Sequence, residues 1–117
     1  MLIEIKTARK GKIKDTFQFN GINPKYNHNF IVFVGILEDN LLYRILSKSK
    51  IKYEHKNKKG RKKYVYIVNL GTIEKQLVEM NPGNQTNYKL TLNKKELEDI
   101  NNIENDLKLN NILKTAI

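Results

Sequence analysis

Phe30 to Leu37, FIVFVGIL, is the one long unbroken apolar run in the chain, and its reading decides the fold. Eight residues is strand length rather than helix length, and the aromatic and β-branched content points the same way. An apolar run without alternation predicts a strand buried on both faces, central in a mixed or parallel sheet and covered by helices. The short polar turn Glu38-Asp39-Asn40 and the strand-like Leu41 to Leu46, LLYRIL, follow, so the run opens an antiparallel hairpin.

Upstream of the run, Leu2 to Lys6, LIEIK, alternates with the period of a strand. Leu2, Glu4 and Lys6 share one side, and Ile3 and Ile5 share the other, which is expected to lie on a core. Arg9 to Lys14, RKGKIK, reads as a basic turn around Gly11. Thr16 to Asn20, TFQFN, alternates again and puts Phe17 and Phe19 on one face, buried on the core rather than, as the alternative, shown to solvent. Gly21 to Asn29 reads as a loop.

Downstream, Ile51 to His55 and Tyr64 to Leu70 form a second hairpin whose tip is Lys56 to Lys63, KNKKGRKK. Tyr64, Tyr66, Val68 and Leu70 share one face of its return strand. Thr72 can cap a short helix through Met80, with Ile73, Leu77 and Met80 on one stripe, ended by Asn81-Pro82-Gly83. Tyr88 to Leu92 alternates as a further strand. Asn93 with Glu96 is a capping box, opening a helix with Leu97, Ile100, Ile103 and Leu107 inward. The expected fold is α+β, a mixed β-sheet with a buried central strand, a basic β-hairpin and C-terminal helix cover. It forms a single domain, with a core over 1–49, the hairpin over 50–70 and a helix-strand-helix segment over 71–117.

The chain has 117 residues, 39% of them hydrophobic and 29% charged, a globular composition for one domain. No stretch approaches the roughly 18 apolar residues of a membrane span. Met1-Leu2-Ile3 runs directly into Glu4 without the pattern of a signal peptide, so a cytoplasmic protein without a membrane partner is expected. The absence of cysteine excludes disulfides and thiolate metal sites. His28 and His55 lie far apart without ligand spacing and read as an ordinary loop and an ordinary strand residue.

The net charge is +10, a footprint for a polyanion. Lys48 to Lys63 holds nine Lys or Arg against one acid, whereas Lys94 to Ile117 is slightly acidic. So local a concentration favours a docking face over a generally solvated surface. A two-stranded ribbon fits the major groove of B-DNA, and Lys56, Lys58, Lys59, Arg61, Lys62 and Lys63 can neutralise phosphates. Arg61 suits a bidentate contact to guanine, and Asn57 a contact to adenine. Tyr53, Tyr64 and Tyr66 can stack on unpaired bases, although a sheet-face or core role is the commoner use of such alternation.

Glu4 and Lys6 are the candidate chemistry. A carboxylate can hold a divalent cation, and an ammonium two positions on can orient or help deprotonate an attacking water, as phosphodiester hydrolysis requires. In isolation an ExK triplet is also what a strand with a solvated charged face shows. The longer order IEIKTARKGK, TFQFN, loop, NFIVFVGI and LLYRIL resembles the PD-(D/E)XK nuclease superfamily, particularly its restriction endonuclease members. The resemblance covers the first half of the chain and implies Mg²⁺-dependent hydrolysis of double-stranded DNA by a homodimer. It implies Glu4 as the acidic metal ligand, Lys6 as the catalytic lysine, the Ile5 carbonyl as a further metal ligand and Gln18 as a phosphate contact or a residue supporting the site. Arg9, Lys10 and Lys12 would join the ribbon in binding DNA. The family's other metal-binding aspartate lies on a strand upstream of the motif, and only three residues precede Glu4 here. A truncated or inactive relative, or a carboxylate from another subunit, is therefore part of the expectation. The alternative from a different class is a non-catalytic nucleic-acid-binding or inhibitor protein of a phage or mobile element that uses the basic hairpin.

Overall fold

The computed structural model describes residues 2–12, 14–81 and 86–97. Nine strands, β1 (Ile3–Arg9), β2 (Thr16–Ile22), β3 (Phe30–Ile36), β4 (Leu41–Ser47), β5 (Ile51–Lys58), β6 (Arg61–Asn69), β7 (Glu74–Gln76), β8 (Val78–Glu79) and β9 (Tyr88–Asn93), precede the one-turn helix α1 (Lys94–Leu97) among these residues. They form three three-stranded sheets, ordered β1-β3-β4, β2-β9-β8 and β5-β6-β7. Over the described residues the result is a mixed, sheet-dominated domain with one short helix, broadly of the α+β class.

The apolar run is the central strand of the first sheet, parallel to β1 and antiparallel to β4. Its inner face, Ile31, Phe33 and Gly35, is buried, whereas Val32, Val34 and Ile36 on the outer face are only half-buried. The expectation of burial on both faces thus holds for one. The cover on that face is the second sheet rather than a layer of helices. Phe17 and Phe19 of β2, with Leu90 and Leu92 of β9, pack against Ile31, Phe33, Leu42 and Leu46 in one cluster. Phe19 meets Phe33 edge-on, with ring centroids 5.0 Å apart.

β1 faces the other way from the sequence reading. Glu4, Lys6 and Ala8 continue the inner-face rows of Ile31, Phe33 and Gly35, and Ile5 is 63% exposed on the outer face. The bulky aromatics of β3 must fill the space beneath β2, so the parallel register turns Glu4 and Lys6 to the core side. On the outer face only Ile3 joins the small cluster of Phe30, Val32 and Ile45.

The expected helix over 72–80 is instead β7 and β8. β7 pairs with Ile67–Asn69 of β6, and β8 pairs with Tyr88–Lys89 of β9. Of the expected stripe only Leu77 is buried, while Ile73 and Met80 are exposed. A helix this short is marginal alone, and the open edges of β6 and β9 offer ladder hydrogen bonds that outweigh the local helical spacing. Over the described residues 72–80 the chain is therefore strand where a helix was expected. The capping box is present: Asn93 N–H donates to Glu96 Oε1 at 2.8 Å, and Glu96 N–H donates to Asn93 Oδ1 at 2.9 Å. Leu97 is buried, and Ile100, Ile103 and Leu107 lie outside the described residues, as do Pro82 and Gly83.

One buried cation joins the layers. Arg44 of β4, only 3% exposed, donates through Nη1 to the Glu96 carbonyl at 2.8 Å and through Nη2 to the Leu70 carbonyl at 2.7 Å. The first sheet is thereby tied to the end of β6 and to α1. Beside it, Lys75 Nζ donates to Glu96 Oε1 at 2.7 Å and to the Thr91 carbonyl at 2.8 Å.

Candidate active site and nucleic-acid interface

Two residues apart on a strand means one face, and β1 brings Lys6 Nζ to 2.8 Å from Glu4 Oε1. Both side chains are about one-fifth exposed, half-shielded at the edge of the core. β2 covers the pair. Its register shifts between Phe19 and Ile22, and Gly21, at φ 71°, lies where a Cβ would stand 3.5 Å from Lys6 Nζ. The irregularity at Gly21 brings the β2 backbone close to the ammonium.

The third member of this cluster is His28, which sequence reasoning passed over. Its Nδ1 lies 3.5 Å from Glu4 Oε2, and its side chain is 4% exposed. The preceding loop is held in place by Asn29, whose N–H donates to the Leu2 carbonyl at 2.8 Å, whose Oδ1 accepts from the Leu2 N–H at 3.0 Å, and whose carbonyl accepts from the Lys48 N–H at 3.0 Å. Lys48 Nζ also donates to the Tyr26 carbonyl. Neither ring nitrogen of His28 has a protein hydrogen-bond partner. Burial lowers the imidazole pKa below its ordinary value, Glu4 opposes that shift, and Lys48 and Lys6 reinforce it. His28 is accordingly a neutral ring beside a charged pair. A loop histidine 24 positions from Glu4 carries no local signal; the parallel pairing of β1 with β3 brings it there.

The other predicted site residues divide. Ile5 lies between the pair on β1, its side chain on the opposite, exposed face and its backbone within the pairing with β3. Gln18 is not brought to the cluster. It alternates with the buried Phe17 and Phe19 and faces outward, where its Nε2 donates to Asn20 Oδ1 at 2.9 Å. Arg9, Lys10 and Lys12 are exposed at the far end of β1. Lys10 Nζ there pairs with Asp15 Oδ1 at 3.2 Å, and the groove beside Arg9 and Lys10 is also lined by Glu38 and Asp39. These acids offset the cations, so this end is a weaker phosphate site than its lysines suggested. Among the described residues no three His, Asp or Glu side chains converge as a metal-binding group.

The basic hairpin forms with a tighter end than expected. β5 and β6 pair from Ile51↔Val68 to Lys58↔Arg61, leaving Lys59 (φ 54°) and Gly60 (φ 75°) as a two-residue turn. Positive φ at both positions matches the primed turn that suits the twist of a ribbon. Lys56, Asn57, Lys59 and Arg61 are exposed. Lys58, Lys62 and Lys63 belong to the ribbon backbone, and their side chains lie outside the described part. On the opposite face from Lys56, Tyr53 is directly opposite Tyr66, and His55 is directly opposite Tyr64.

No protein-family model, curated protein or solved structure matches the chain.

Proposed function

We propose that this chain is a DNA-binding protein of the restriction endonuclease kind, hydrolysing phosphodiester bonds of duplex DNA with Mg²⁺. The observation that carries the reading is the Glu4–Lys6 pair, 2.8 Å apart, half-shielded and flanked by a buried neutral imidazole. The donor set fits part of a magnesium site: Glu4 is one carboxylate, and Mg²⁺ is commonly held by one or two carboxylates with phosphate oxygens and water. Glu4, with the Ile5 carbonyl, would hold the ion, which when bound neutralises charge on the phosphate. Lys6 orients the attacking water and the phosphate. Its ammonium pairs with Glu4 Oε1, so a cation held at that oxygen would compete with the pairing and leave the ammonium for the phosphate. Exposed Lys56, Lys59 and Arg61 contact the DNA backbone.

Cutting both strands calls for two sites, hence two copies. The exposed Ile5, Leu41 and Tyr43, outer-face positions in the first sheet, supply apolar surface of the sort such a contact buries. Among the described residues no helix is long and apolar enough to cross a membrane, in keeping with action in the cytoplasm.

The test is cleavage of supercoiled plasmid with Mg²⁺. Glu4→Gln and Lys6→Met, each matched to wild type by circular dichroism, are expected to lower the rate at least about 100-fold. Cutting that survives both substitutions removes the site. The second reading, a non-catalytic nucleic-acid binder, is favoured by the exposure of Lys56, Asn57, Lys59 and Arg61 together on one ribbon. DNA binding without cleavage by the wild-type chain identifies it.

A further inference from the structure

The first sheet is ordered β1-β3-β4, so β1 is an edge strand, and among the described residues no strand lies along its other side. A bridge from Lys10 to Phe17 falls past its end. Its register with β3 runs unbroken from Ile3↔Phe30 to Arg9↔Ile36, it holds no proline, and Ile5 and Thr7 are exposed. Sheets blunt their edges with prolines, bulges or inward-pointing charges. β1 has only the last, Lys6, and Glu4 changes what that charge does. The backbone shows which groups are open. Phe30 N–H donates to the Leu2 carbonyl, and along a strand the residues that bond one neighbour alternate with those that face away from it. Leu2, Glu4 and Lys6 therefore turn their N–H and C=O toward β3, and Ile3, Ile5 and Thr7 turn theirs outward.

Charge and apolar surface select the partner and the register. An antiparallel copy of β1 can bond this edge only where outward-turned residues stand opposite one another. Centred on Glu4 the pairing sets two carboxylates face to face, and centred on Lys6 it sets two ammoniums so, and like charges directly opposite are destabilising. Centred on Thr7 it sets Ile5 against the partner's Arg9 and leaves Lys6 against the partner's Ala8; centred on Ile3 it engages only the start of the strand. Centred on Ile5 it sets Glu4 opposite the partner's Lys6 and Lys6 opposite the partner's Glu4. These are non-hydrogen-bonded pairs, in which side chains stand closest. With the Glu4–Lys6 contact already present in each chain, four charges then alternate in sign around the two-fold axis. On the outer face Ile5, Val32 and Ile45 form one row, which continues into the partner's row through Ile5.

We infer that the β1 edge is a dimerisation surface for a second copy of this chain, pairing antiparallel about Ile5 and joining the two first sheets into one. Ile5 exchanges both backbone hydrogen bonds with the partner's Ile5, and Ile3 and Thr7 exchange theirs with the partner's Thr7 and the partner's Ile3. The Ile5 carbonyl accepts the partner's N–H with one lone pair and keeps the other. The pairing stands on the geometry of the edge; from the functional reading above it takes only the call for two copies. Leu41 lies on β4, the opposite edge of the sheet, and takes no part in it.

The chain has no cysteine, so a single introduced one reports on the contact without background. Ile5→Cys puts two sulfurs on the two-fold axis, where a hydrogen-bonded pair stands about 5.5 Å apart at Cα, within the span of a disulfide. Thr7→Cys, also at an exposed position, leaves them four residues out of register, about 13 Å apart. The full chain is expected to sediment as a dimer, and Ile5→Cys to cross-link under mild oxidation at least about tenfold faster than Thr7→Cys. Glu4→Lys and Lys6→Glu, each folded by circular dichroism, raise the dimer dissociation constant about tenfold or more. An equimolar mixture of the two recovers wild-type affinity as a heterodimer, because each charge then meets its opposite. A wild-type chain that is monomeric at roughly 0.1 mM overturns the inference. So does equal cross-linking of the two cysteine variants, or a mixture no tighter than either charge variant alone. The cysteine pair decides even where the charge variants do not fold. Plasmid cleavage by a monomer refutes the pairing alone, and a dimer paired at Ile5 that does not cut removes hydrolysis alone.

Discussion

Glu4, Lys6 and His28 place a negative, a positive and a neutral group at the edge of the core. The imidazole determines how this arrangement responds to pH. Because burial lowers the folded-state pKa of His28 below the ordinary histidine value of about 6.5, the unfolded chain binds more protons there than the folded one as pH falls past that value. Stability is therefore full above about pH 6.5 and declines as pH falls through the folded pKa. Thermal unfolding followed from pH 7.5 to 5 in the presence of a chelator is expected to show a falling midpoint. In His28→Asn the decline over that window is shallower. Equal slopes for the two proteins would mean that His28 does not titrate differently on folding.

At the level of the element, β3 shows how closely the two sheets approach. A Cβ at Gly35 would lie 2.7 Å from Leu97 Cδ1 and 3.0 Å from Phe17 Cδ1 and Cε1, so the Phe17 ring and α1 close over the strand only because no side chain stands there. The Leu97 methyl can swing aside, but the ring held between sheets cannot easily do so. Gly35→Ala is expected to cost about 1–3 kcal/mol, measured as a lower urea midpoint at unchanged m-value. The ribbon should be unaffected, with DNA affinity retained in the folded variant. An unchanged midpoint would show that the sheets can part without penalty.

Across the whole molecule, the proposed catalytic pair and the proposed binding surface lie on separate sheets: Glu4 and Lys6 on the first, and the cationic ribbon on the third. Phosphate contacts release counterions, so the logarithm of DNA affinity falls with the logarithm of salt by about 0.9 per contact. Neutralising Lys56, Lys59 and Arg61 together is expected to lower that slope by roughly 2 to 3, with the largest loss of affinity at low salt. Neutralising Lys10 and Lys12 should change it less, since Asp15, Glu38 and Asp39 already offset that end. A slope insensitive to the ribbon would remove it as the DNA-binding surface.

Much of this was legible locally. The strand at Phe30, the hairpins after it and around Gly60, the burial of Phe17 and Phe19, the Asn93–Glu96 box and the shared face of Glu4 and Lys6 all follow from periodicity and turn chemistry within a few residues. What local pattern could not supply was which face of β1 meets the core, since Ile3 and Ile5 made the wrong side look apolar. The register with Ile31 and Phe33 decided it. The strands at 74–79 likewise answer to the open edges of β6 and β9, not to the helical spacing of Ile73, Leu77 and Met80. His28 beside Glu4 and Arg44 spanning the layers depend on contacts between distant segments. Hydrophobic period records only whether a side chain is covered; what covers it, and what charge it meets there, is set by the pairing of strands far apart in the chain.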